Sequence, residues 1–135
     1  MSHAINLDAP PPPRTIGPIT RTDVVRYQGA SGDFNPIHHD EPFATGSGYP
    51  APLVVGMYTA GAMNAWASDW LGPQNLRETR IRWKRPVFPG DVLTASGEVL
   101  KTYEEGGETR VDLELKAAKE DGQVVVQGWM TFVVG

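Results

Sequence analysis

The chain has 135 residues, 40% hydrophobic and 21% charged, which suits one soluble globular domain with its own core. Its net charge of −4 argues against general nucleic-acid binding, and the absence of cysteine excludes disulfides and thiolate metal sites. No uninterrupted apolar run is long enough to span a membrane. We therefore expect a cytoplasmic protein without membrane insertion, nucleic-acid partner or bound metal.

The beginning of the chain predicts a tail followed by a folded domain. Residues 1–13 include four consecutive prolines, which favour an extended polyproline conformation. We expect an extended or disordered tail over 1–13 and one domain over 14–135. The stretch from Arg14 to Ile19 is a candidate edge strand, which Pro18 weakens because proline has no N–H to donate.

A helix is predicted from Thr20 to Ala30. Thr20 can cap its first turn, and Asp23 can reach back to the Thr20 backbone, which is a capping-box pattern. The helix leads directly into a polar segment, residues 30–40, which reads ASGDFNPIHHD.

The polar segment contains a candidate acid/base pair, Asp33 and His38. Pro36 fixes its own φ and disfavours a helical Asn35, so we expect a shaped loop. Histidine titrates near neutrality, and a neighbouring carboxylate can tune it or share a water with it. The same residue types are also common in ordinary solvated turns. We expect His39 to be structural or exposed.

A buried helix is predicted from Leu53 to Leu71, after an irregular surface or lid segment over Glu41 to Pro52. The helix is apolar almost all round, so it requires burial on all sides. The N–H groups near its start, around Gly56, would suit a developing oxyanion. From the residues alone, Gly56 could equally serve close packing against a strand.

The rest of the chain predicts antiparallel strands over 78–86, 92–103, 111–117 and 124–134, separated by short turns. Small residues such as Ala95 and Gly97 share one face of the second of these strands and make room for the helix. We therefore predict an α+β fold in which a curled antiparallel sheet wraps around a central buried helix. A second copy would cover the exposed sheet edges and apolar surface.

Basic residues cluster around the first of these strands, where nine positions hold five of the twelve lysines and arginines. The patch could bind the phosphates of a coenzyme A ligand, or it could be a solvated strand face. Its members are Arg77, Arg80, Arg82, Lys84 and Arg85.

Residues 27–40, YQGASGDFNPIHHD, resemble the signature of the MaoC-like dehydratase family, the (R)-specific enoyl-CoA hydratases. The core pattern S-G-D-x-N-P-x-H-x-D is present without a gap. Gly56-Met57 resembles the family's H-G-M at the start of the central helix, and residues 85–91 resemble its post-helix strand and turn. The similarity covers roughly residues 15–134, nearly the whole predicted domain.

The resemblance implies a hot-dog fold and reversible hydration of a trans-2-enoyl thioester to an (R)-3-hydroxyacyl thioester. It implies that Asp33 and His38 are the catalytic pair, that Asn35 supports the loop and that the Gly56 amide donates to the thioester oxygen. Asn64 falls where some members carry a small polar residue near the site. The thioester, on coenzyme A or acyl carrier protein, is the substrate, and no metal or redox cofactor is implied.

One departure from the family pattern concerns Val55, which stands where the family usually has the histidine of H-G-M. That histidine is generally not catalytic in the family, so the resemblance still implies activity, with a changed pocket shape or substrate.

Two alternatives to the hydratase remain from the sequence. A hot-dog acyl-CoA thioesterase would place an acid on or near the central helix, which offers only Asp69 near its far end. An acyl-CoA-binding subunit would become active only with a partner chain. The expected assembly is a homodimer, or a heterodimer with another hot-dog chain.

Overall fold

A computed structural model describes residues 5–135, in which an antiparallel sheet curves around one helix. The strands are β1 (Arg14–Ile16), β2 (Leu76–Trp83), β3 (Leu93–Glu105), β4 (Glu108–Lys119) and β5 (Val124–Val133). The helices are α1 (Arg21–Ser31), α2 (Glu41–Gly46) and α3 (Gly56–Leu71), with short 3-10 helices at Pro36–His38 and Pro73–Asn75. The five strands lie in the order β1-β3-β4-β5-β2, and every pairing is antiparallel.

The concave face of the sheet packs against α3. The strand register aligns Gly97, Leu115 and Gly128 in one row across β3, β4 and β5. A Cβ atom at Gly97 would lie 2.7 Å from Cζ3 of Trp66, so only glycine leaves room for this buried indole. The prediction that small inward residues accommodate the helix is confirmed, as is the α+β architecture.

The start of α1 follows the sequence prediction. The Thr20 hydroxyl accepts a hydrogen bond from the Asp23 amide at 3.0 Å, and the Asp23 carboxylate accepts one from the Thr20 amide at 2.8 Å. This reciprocal pair is the predicted capping box. The helix ends at Gly32, whose φ of +77° is a left-handed conformation that glycine adopts without a steric penalty.

The prediction of an irregular segment from Glu41 is wrong for its first six residues, which form α2. The Asp40 side chain accepts a hydrogen bond from the Phe43 amide at 3.0 Å and caps this helix. Pro42 lies in the first turn, where the missing N–H has no intrahelical partner to lose. The proline that suggested a break therefore helps to begin a helix.

The central helix begins at Gly56, three residues later than predicted. Leu53 and Val54 instead form backbone hydrogen bonds with other parts of the chain. The Leu53 amide donates to the Ile37 carbonyl at 3.0 Å, and the Val54 amide donates to the Val87 carbonyl at 2.8 Å. These two bonds fix the approach to α3 between the polar loop and the chain that follows β2.

The Pro-rich segment carries no helix or strand over residues 5–13 and lies against α3. The Trp66 Nε1–H donates to the Pro12 carbonyl at 3.0 Å, and Ile5 and Leu7 pack against the core. Residues 1–4 of the predicted tail lie outside the described residues.

Residues 5–135 leave one edge of the sheet and one side of α3 without cover. Strand β2 is an edge strand, and Trp83 at its end is 49% exposed. On α3, Met57 is 54% exposed and Gly61 is also exposed. Within residues 5–135, no helix combines the length and the apolar character needed to cross a membrane.

Candidate active site

The polar loop between α1 and α2 holds Asp33 and His38 in a defined backbone conformation. The Asn35 side chain accepts a hydrogen bond from the Ile37 amide at 3.0 Å and so caps the 3-10 helix Pro36–His38. The Asn35 side chain therefore contacts the loop backbone. His38 is the last residue of this short helix, and its ring points back toward the start of α3.

A backbone carbonyl sets the tautomer of His38. The ring Nδ1 lies 2.9 Å from the Leu53 carbonyl oxygen, which can only accept a hydrogen bond. We therefore assign the proton of the neutral ring to Nδ1, which leaves a lone pair on Nε2. This Nε2 lies 3.9 Å from Oδ2 of Asp33.

The two oxygens of the Asp33 carboxylate have different neighbours. Oδ1 accepts a hydrogen bond from the Asn35 amide at 3.2 Å, while Oδ2 faces the His38 ring. The Asp33 side chain is 46% exposed and the His38 side chain is 12% exposed. The pair thus combines a solvent-accessible acid with a shielded imidazole, and their 3.9 Å separation is longer than a direct hydrogen bond.

The loop backbone is also held by Gln28, which sequence reasoning did not assign to the site. Its side chain is 3% exposed, and its Nε2 lies 3.0 Å from the Asp33 carbonyl oxygen and 3.3 Å from Nδ1 of His39. One signal was present in the sequence. Gln28 lies one helical turn after the buried Val24, so this polar residue occupies the inward face of α1.

The start of α3 brings Gly56 to the same region. Val55, the N-cap residue, provides no side-chain hydrogen bond, so the first N–H groups of the helix remain available to a ligand. The Trp83 Nε1–H donates to the Gly56 carbonyl at 2.9 Å. A Cβ atom at Gly56 would lie 2.9 Å from that same nitrogen, so glycine permits this contact.

Trp83, the last residue of β2, is a further residue that the sequence did not place in the site. In the structure it stands beside Gly56 and forms part of a cavity wall. Side chains alternate between the two faces of a strand, so Thr79, Ile81 and Trp83 share one face of β2. Because that face is the concave one, the alternation was the signal that placed Trp83 next to the helix.

A mostly apolar cavity of about 320 Å³ adjoins His38. The Thr59 side chain in its wall is buried, and its hydroxyl has no hydrogen-bond partner among residues 5–135. The cavity can therefore accept an apolar chain while offering a few polar groups near His38. Its lining residues are His38, Tyr49, Leu53, Val54, Gly56, Thr59, Trp83, Lys84, Arg85, Pro86, Val87 and Val126.

Tyr58, the third residue of α3, links this helix to α1. Its ring packs edge-on against Tyr27, with ring centroids 5.6 Å apart and an interplanar angle of 83°. Burial, with a smaller contribution from the charge of Asp23, raises the pKa of Tyr58. The phenol therefore stays neutral near pH 7 and serves packing between the two helices that border the loop.

The structure separates four of the five basic residues of the predicted patch, Arg80, Arg82, Lys84 and Arg85. Lys84 and Arg85 line the His38 cavity, and together with Arg82 they also border an adjacent hollow. Arg80 instead lies over the ring of Trp129, with its guanidinium carbon 5.6 Å from the ring centroid. This contact is on the convex face of the sheet, away from α3.

Asn64 lies two turns beyond Gly56, about 12 Å along α3 at 1.5 Å per residue. Its Nδ2 donates to the Thr79 hydroxyl on β2 at 3.3 Å, and its Oδ1 is buried without a hydrogen-bond partner in the described chain. Asn64 does not line the His38 cavity. The structure therefore places His38 beside Asp33 and in the wall of the cavity that Gly56 lines, and it leaves Asn64 at the β2 side of the helix.

Comparison with known proteins identifies the relatives of this chain. The family model for the MaoC like domain matches residues 5–121. A 3-hydroxybutyryl-CoA dehydratase from Methylorubrum extorquens is 30% identical over 115 residues, which cover 81% of this chain and 73% of the relative. Other relatives are much longer, and the chain spans 8% and 27% of the length of two of them.

Solved structures show the same architecture. The (R)-hydratase from A. caviae involved in PHA biosynthesis superposes with a TM-score of 0.76 at 25% identity, over 89% of this chain and 92% of that chain. The ChsH1-ChsH2 complex from Mycobacterium tuberculosis gives a TM-score of 0.77 at 23% identity, over 90% and 92% of the two chains, and supports the fold alone. The hot-dog fold is thus confirmed, and the chain belongs to the family of MaoC-like domains.

Proposed function

We propose that this chain catalyses the reversible hydration of a trans-2-enoyl thioester to an (R)-3-hydroxyacyl thioester. The observation that carries the proposal is the approach of Asp33 Oδ2 to His38 Nε2 at 3.9 Å, beside a cavity that Gly56 also lines. Hydratases and dehydratases among the relatives support the same reaction class.

In the hydration direction, Asp33 and His38 would hold one water molecule between them. A water oxygen can contact both Oδ2 and Nε2 when these atoms are 3.9 Å apart. As the water oxygen bonds to C3 of the enoyl group, its proton passes to the pair, and a proton from the pair reaches C2. Because Nδ1 of His38 donates to the Leu53 carbonyl, Nε2 is the ring nitrogen that can accept this proton.

The start of α3 would stabilise the charge that develops during this addition. Attack at C3 moves electron density onto the thioester oxygen, which becomes an enolate oxygen. The Gly56 N–H and the partial positive charge at the helix N-terminus can donate to this oxygen. The steps use an acid, a base and a water, and they assign no role to a metal or redox cofactor.

The thioester carrier would place its phosphates near the basic end of the cavity. Lys84 and Arg85 line both the cavity and the adjacent hollow. The phosphate-bearing arm of coenzyme A or of acyl carrier protein can therefore pass these two cations. Replacing either by glutamine should raise KM for an acyl-CoA and leave kcat nearly unchanged. Arg80→Gln, on the convex face over Trp129, is the matched control and should leave KM unchanged.

The thioesterase alternative lacks an acid at the required place. The only acidic residue of α3, Asp69, lies thirteen positions beyond Gly56, or about 20 Å along the helix. Its carboxylate is 2.9 Å from the Arg14 guanidinium, so it forms an ion pair with the N-terminal strand. The acid near the cavity is Asp33 of the loop, and its pairing with His38 favours hydration.

The test is an assay of crotonyl-CoA hydration by loss of enoyl absorbance, with free-thiol release measured in parallel. We expect hydration without thiol release. Asp33→Asn and His38→Ala should each lower kcat/KM at least about a hundredfold, the usual contribution of a positioned acid or base. Both variants should keep the circular dichroism spectrum of the unmodified protein.

Asp40→Asn provides a matched control for Asp33→Asn, since it changes an acid at the end of the same loop. Asp40 caps α2, and asparagine caps helices as well as aspartate does. This variant should retain hydration. Near-normal hydration by Asp33→Asn, or thiol release in place of hydration, would contradict the proposal.

A further inference from the structure

We infer that Gln28 is a positioning residue, whose buried side-chain amide fixes the backbone that presents Asp33 and His38. The catalytic consequence of this inference rests on the proposed hydration, while the structural part stands on the hydrogen bonds of α1 with the loop.

The Gln28 amide reaches three acceptors on the loop. Its Nε2 lies 3.0 Å from the Asp33 carbonyl, 3.5 Å from the Asn35 carbonyl and 3.3 Å from Nδ1 of His39. The backbone carbonyl of Gln28 also accepts a hydrogen bond from the Gly32 amide at 2.9 Å. One residue thus secures both the end of α1 and the first half of the loop.

The chemistry of the acceptors fixes the orientation of the amide. Carbonyl oxygens only accept hydrogen bonds, so the nitrogen of the Gln28 amide must face Asp33 and Asn35. Its two hydrogens serve the Asp33 carbonyl and, on the other side, the ring of His39 with the more distant Asn35 carbonyl. A rotated amide would place its oxygen against these carbonyls and is therefore excluded.

This orientation determines the tautomer of His39. Because the Gln28 nitrogen donates, Nδ1 of His39 must accept, and the proton of the neutral ring is on Nε2. His39 and His38 consequently hold opposite tautomers, since Nδ1 of His38 donates to the Leu53 carbonyl. Two adjacent histidines with opposite tautomers are a signature that is specific to this hydrogen-bond arrangement.

Removal of the amide would affect the geometry of the pair more than the binding of substrate. Gln28 is 3% exposed, so water cannot simply replace its hydrogen bond to the Asp33 carbonyl. The Asp33 backbone would then shift, and with it the carboxylate that faces His38. A misplacement of about 1 Å can cost about a hundredfold in rate.

The first experiment compares Gln28→Met, which retains the length of the side chain and removes its donor, with the unmodified protein. We expect kcat for crotonyl-CoA hydration to fall about 10- to 100-fold while KM changes less than about threefold. Val24→Ala is the matched control, because Val24 is buried one turn earlier on α1 and makes core contacts. It should lower the melting temperature without lowering kcat.

The second experiment does not require activity, and it does not require Gln28→Met to fold. The ¹⁵N chemical shifts of the imidazole nitrogens in ¹⁵N-histidine protein report the two tautomers at neutral pH. We expect the Nε2–H form for His39 and the Nδ1–H form for His38, with the signals assigned by comparison with His39→Ala. Where Gln28→Met folds, the tautomer preference of His39 should weaken.

The two experiments separate this inference from the proposed reaction. Absence of hydration by the unmodified protein would overturn the proposed function and leave the tautomer test intact. An Nδ1–H form of His39 in the unmodified protein would overturn the role of Gln28. So would an unchanged kcat in Gln28→Met, or a loss of kcat that Val24→Ala reproduces at equal stability.

Discussion

At the scale of single residues, Gly56 and Trp83 depend on each other. The indole donates to the Gly56 carbonyl at 2.9 Å, and a Cβ atom at Gly56 would lie 2.9 Å from the same indole nitrogen. The close approach is therefore available only to glycine. Since the Gly56 amide is the proposed donor to the thioester oxygen, the indole also fixes the start of the helix that presents this donor.

Gly56→Ala should lower the free energy of unfolding by about 1–3 kcal/mol, because the new methyl group forces the indole or the helix to move. It should also lower kcat, since the helix start shifts. The loss of stability should be smaller in a Trp83→Leu background. A double-mutant cycle measured by urea unfolding should give a coupling energy of about 0.5–3 kcal/mol.

Gly29→Ala is the control for this substitution, since Gly29 lies in α1 and a Cβ atom there meets nothing within 4 Å. It should be neutral or stabilising, because alanine favours helix more than glycine does. If Gly56→Ala lowered the free energy of unfolding equally in the Trp83 and Trp83→Leu backgrounds, the proposed dependence between the two residues would be contradicted.

At the scale of secondary-structure elements, an ion-pair cluster ties β2 to β4 across the end of β5. The Glu108 carboxylate accepts hydrogen bonds from Arg77 on β2, at 2.7 Å, and from Arg110 on β4, at 2.9 Å. A register shift between Leu76 and Glu78 lies at Arg77 in the β2 ladder. The hydrogen bonds from Arg77 and then Arg110 lower the pKa of Glu108 to about 2.

The pH dependence of stability follows from this lowered pKa. Glu108 has an ordinary pKa of 4.5 in the unfolded chain and about 2 in the folded one, so its contribution is complete above pH 4.5. It should be lost as the pH falls from 4.5 to 2, because the unfolded chain takes up the proton first. Urea unfolding of Glu108→Gln and the unmodified protein should show a stability difference that narrows over this range.

Glu120→Gln, in the exposed turn between β4 and β5, controls for the loss of a surface carboxylate. The difference in stability between Glu108→Gln and the unmodified protein could instead stay constant from pH 6 to pH 2. That result would show that the pKa of Glu108 is the same in the folded and the unfolded chain.

At the scale of the whole molecule, the described part of one chain leaves an edge of the sheet and a side of the central helix uncovered. The exposed groups include the edge of β2, Trp83 at its end, and Met57 and Gly61 on α3. Exposed strand edges pair readily with another chain, and a second copy offers an identical edge. We therefore propose a homodimer, with a heterodimer as the alternative when another hot-dog chain is present.

Sedimentation equilibrium of the purified chain should give twice the mass of one chain. The uncovered side of α3 adjoins Gly56, the proposed donor to the thioester oxygen. Specific activity should therefore fall when dilution below the dissociation constant of the dimer separates the two copies. Lys101→Gln changes an exposed side chain on β3, which β4 and β5 separate from β2, and should leave the mass unchanged. A monomer that becomes active only after addition of a second hot-dog chain would favour the heterodimer.

Much of the architecture could be predicted because it depends on local patterns. The alternation of β4 and β5, the capping box at Thr20 and the glycine at position 97 each follow from periodicity or from a short motif. The pairing of Asp33 with His38 was also predictable, since Pro36 forces the chain between them to turn. These features are determined by residues that are close in the sequence.

The remaining features depend on contacts between distant parts of the chain. Helix α3 starts late because the Leu53 backbone forms hydrogen bonds with the Ile37 carbonyl and with the His38 ring. No local sequence pattern reveals these contacts. The inward position of Gln28 did not reveal its partners, because two of its three acceptors are backbone carbonyls, which are present at every residue. Arg80 could be separated from Lys84 and Arg85 only once the position of Trp129 in the folded sheet was known.

The fit of the helix into the sheet has an evolutionary consequence. Two glycines each face a rigid indole: a Cβ atom at Gly56 would lie 2.9 Å from the Trp83 ring, and one at Gly97 would lie 2.7 Å from the Trp66 ring. These positions are therefore epistatic, because a larger residue at the glycine is tolerated only after its partner has become smaller. Of these pairs, Gly56 and Trp83 line the cavity beside His38, so a mutational path that enlarges the residue at position 56 must first replace Trp83 by a smaller residue.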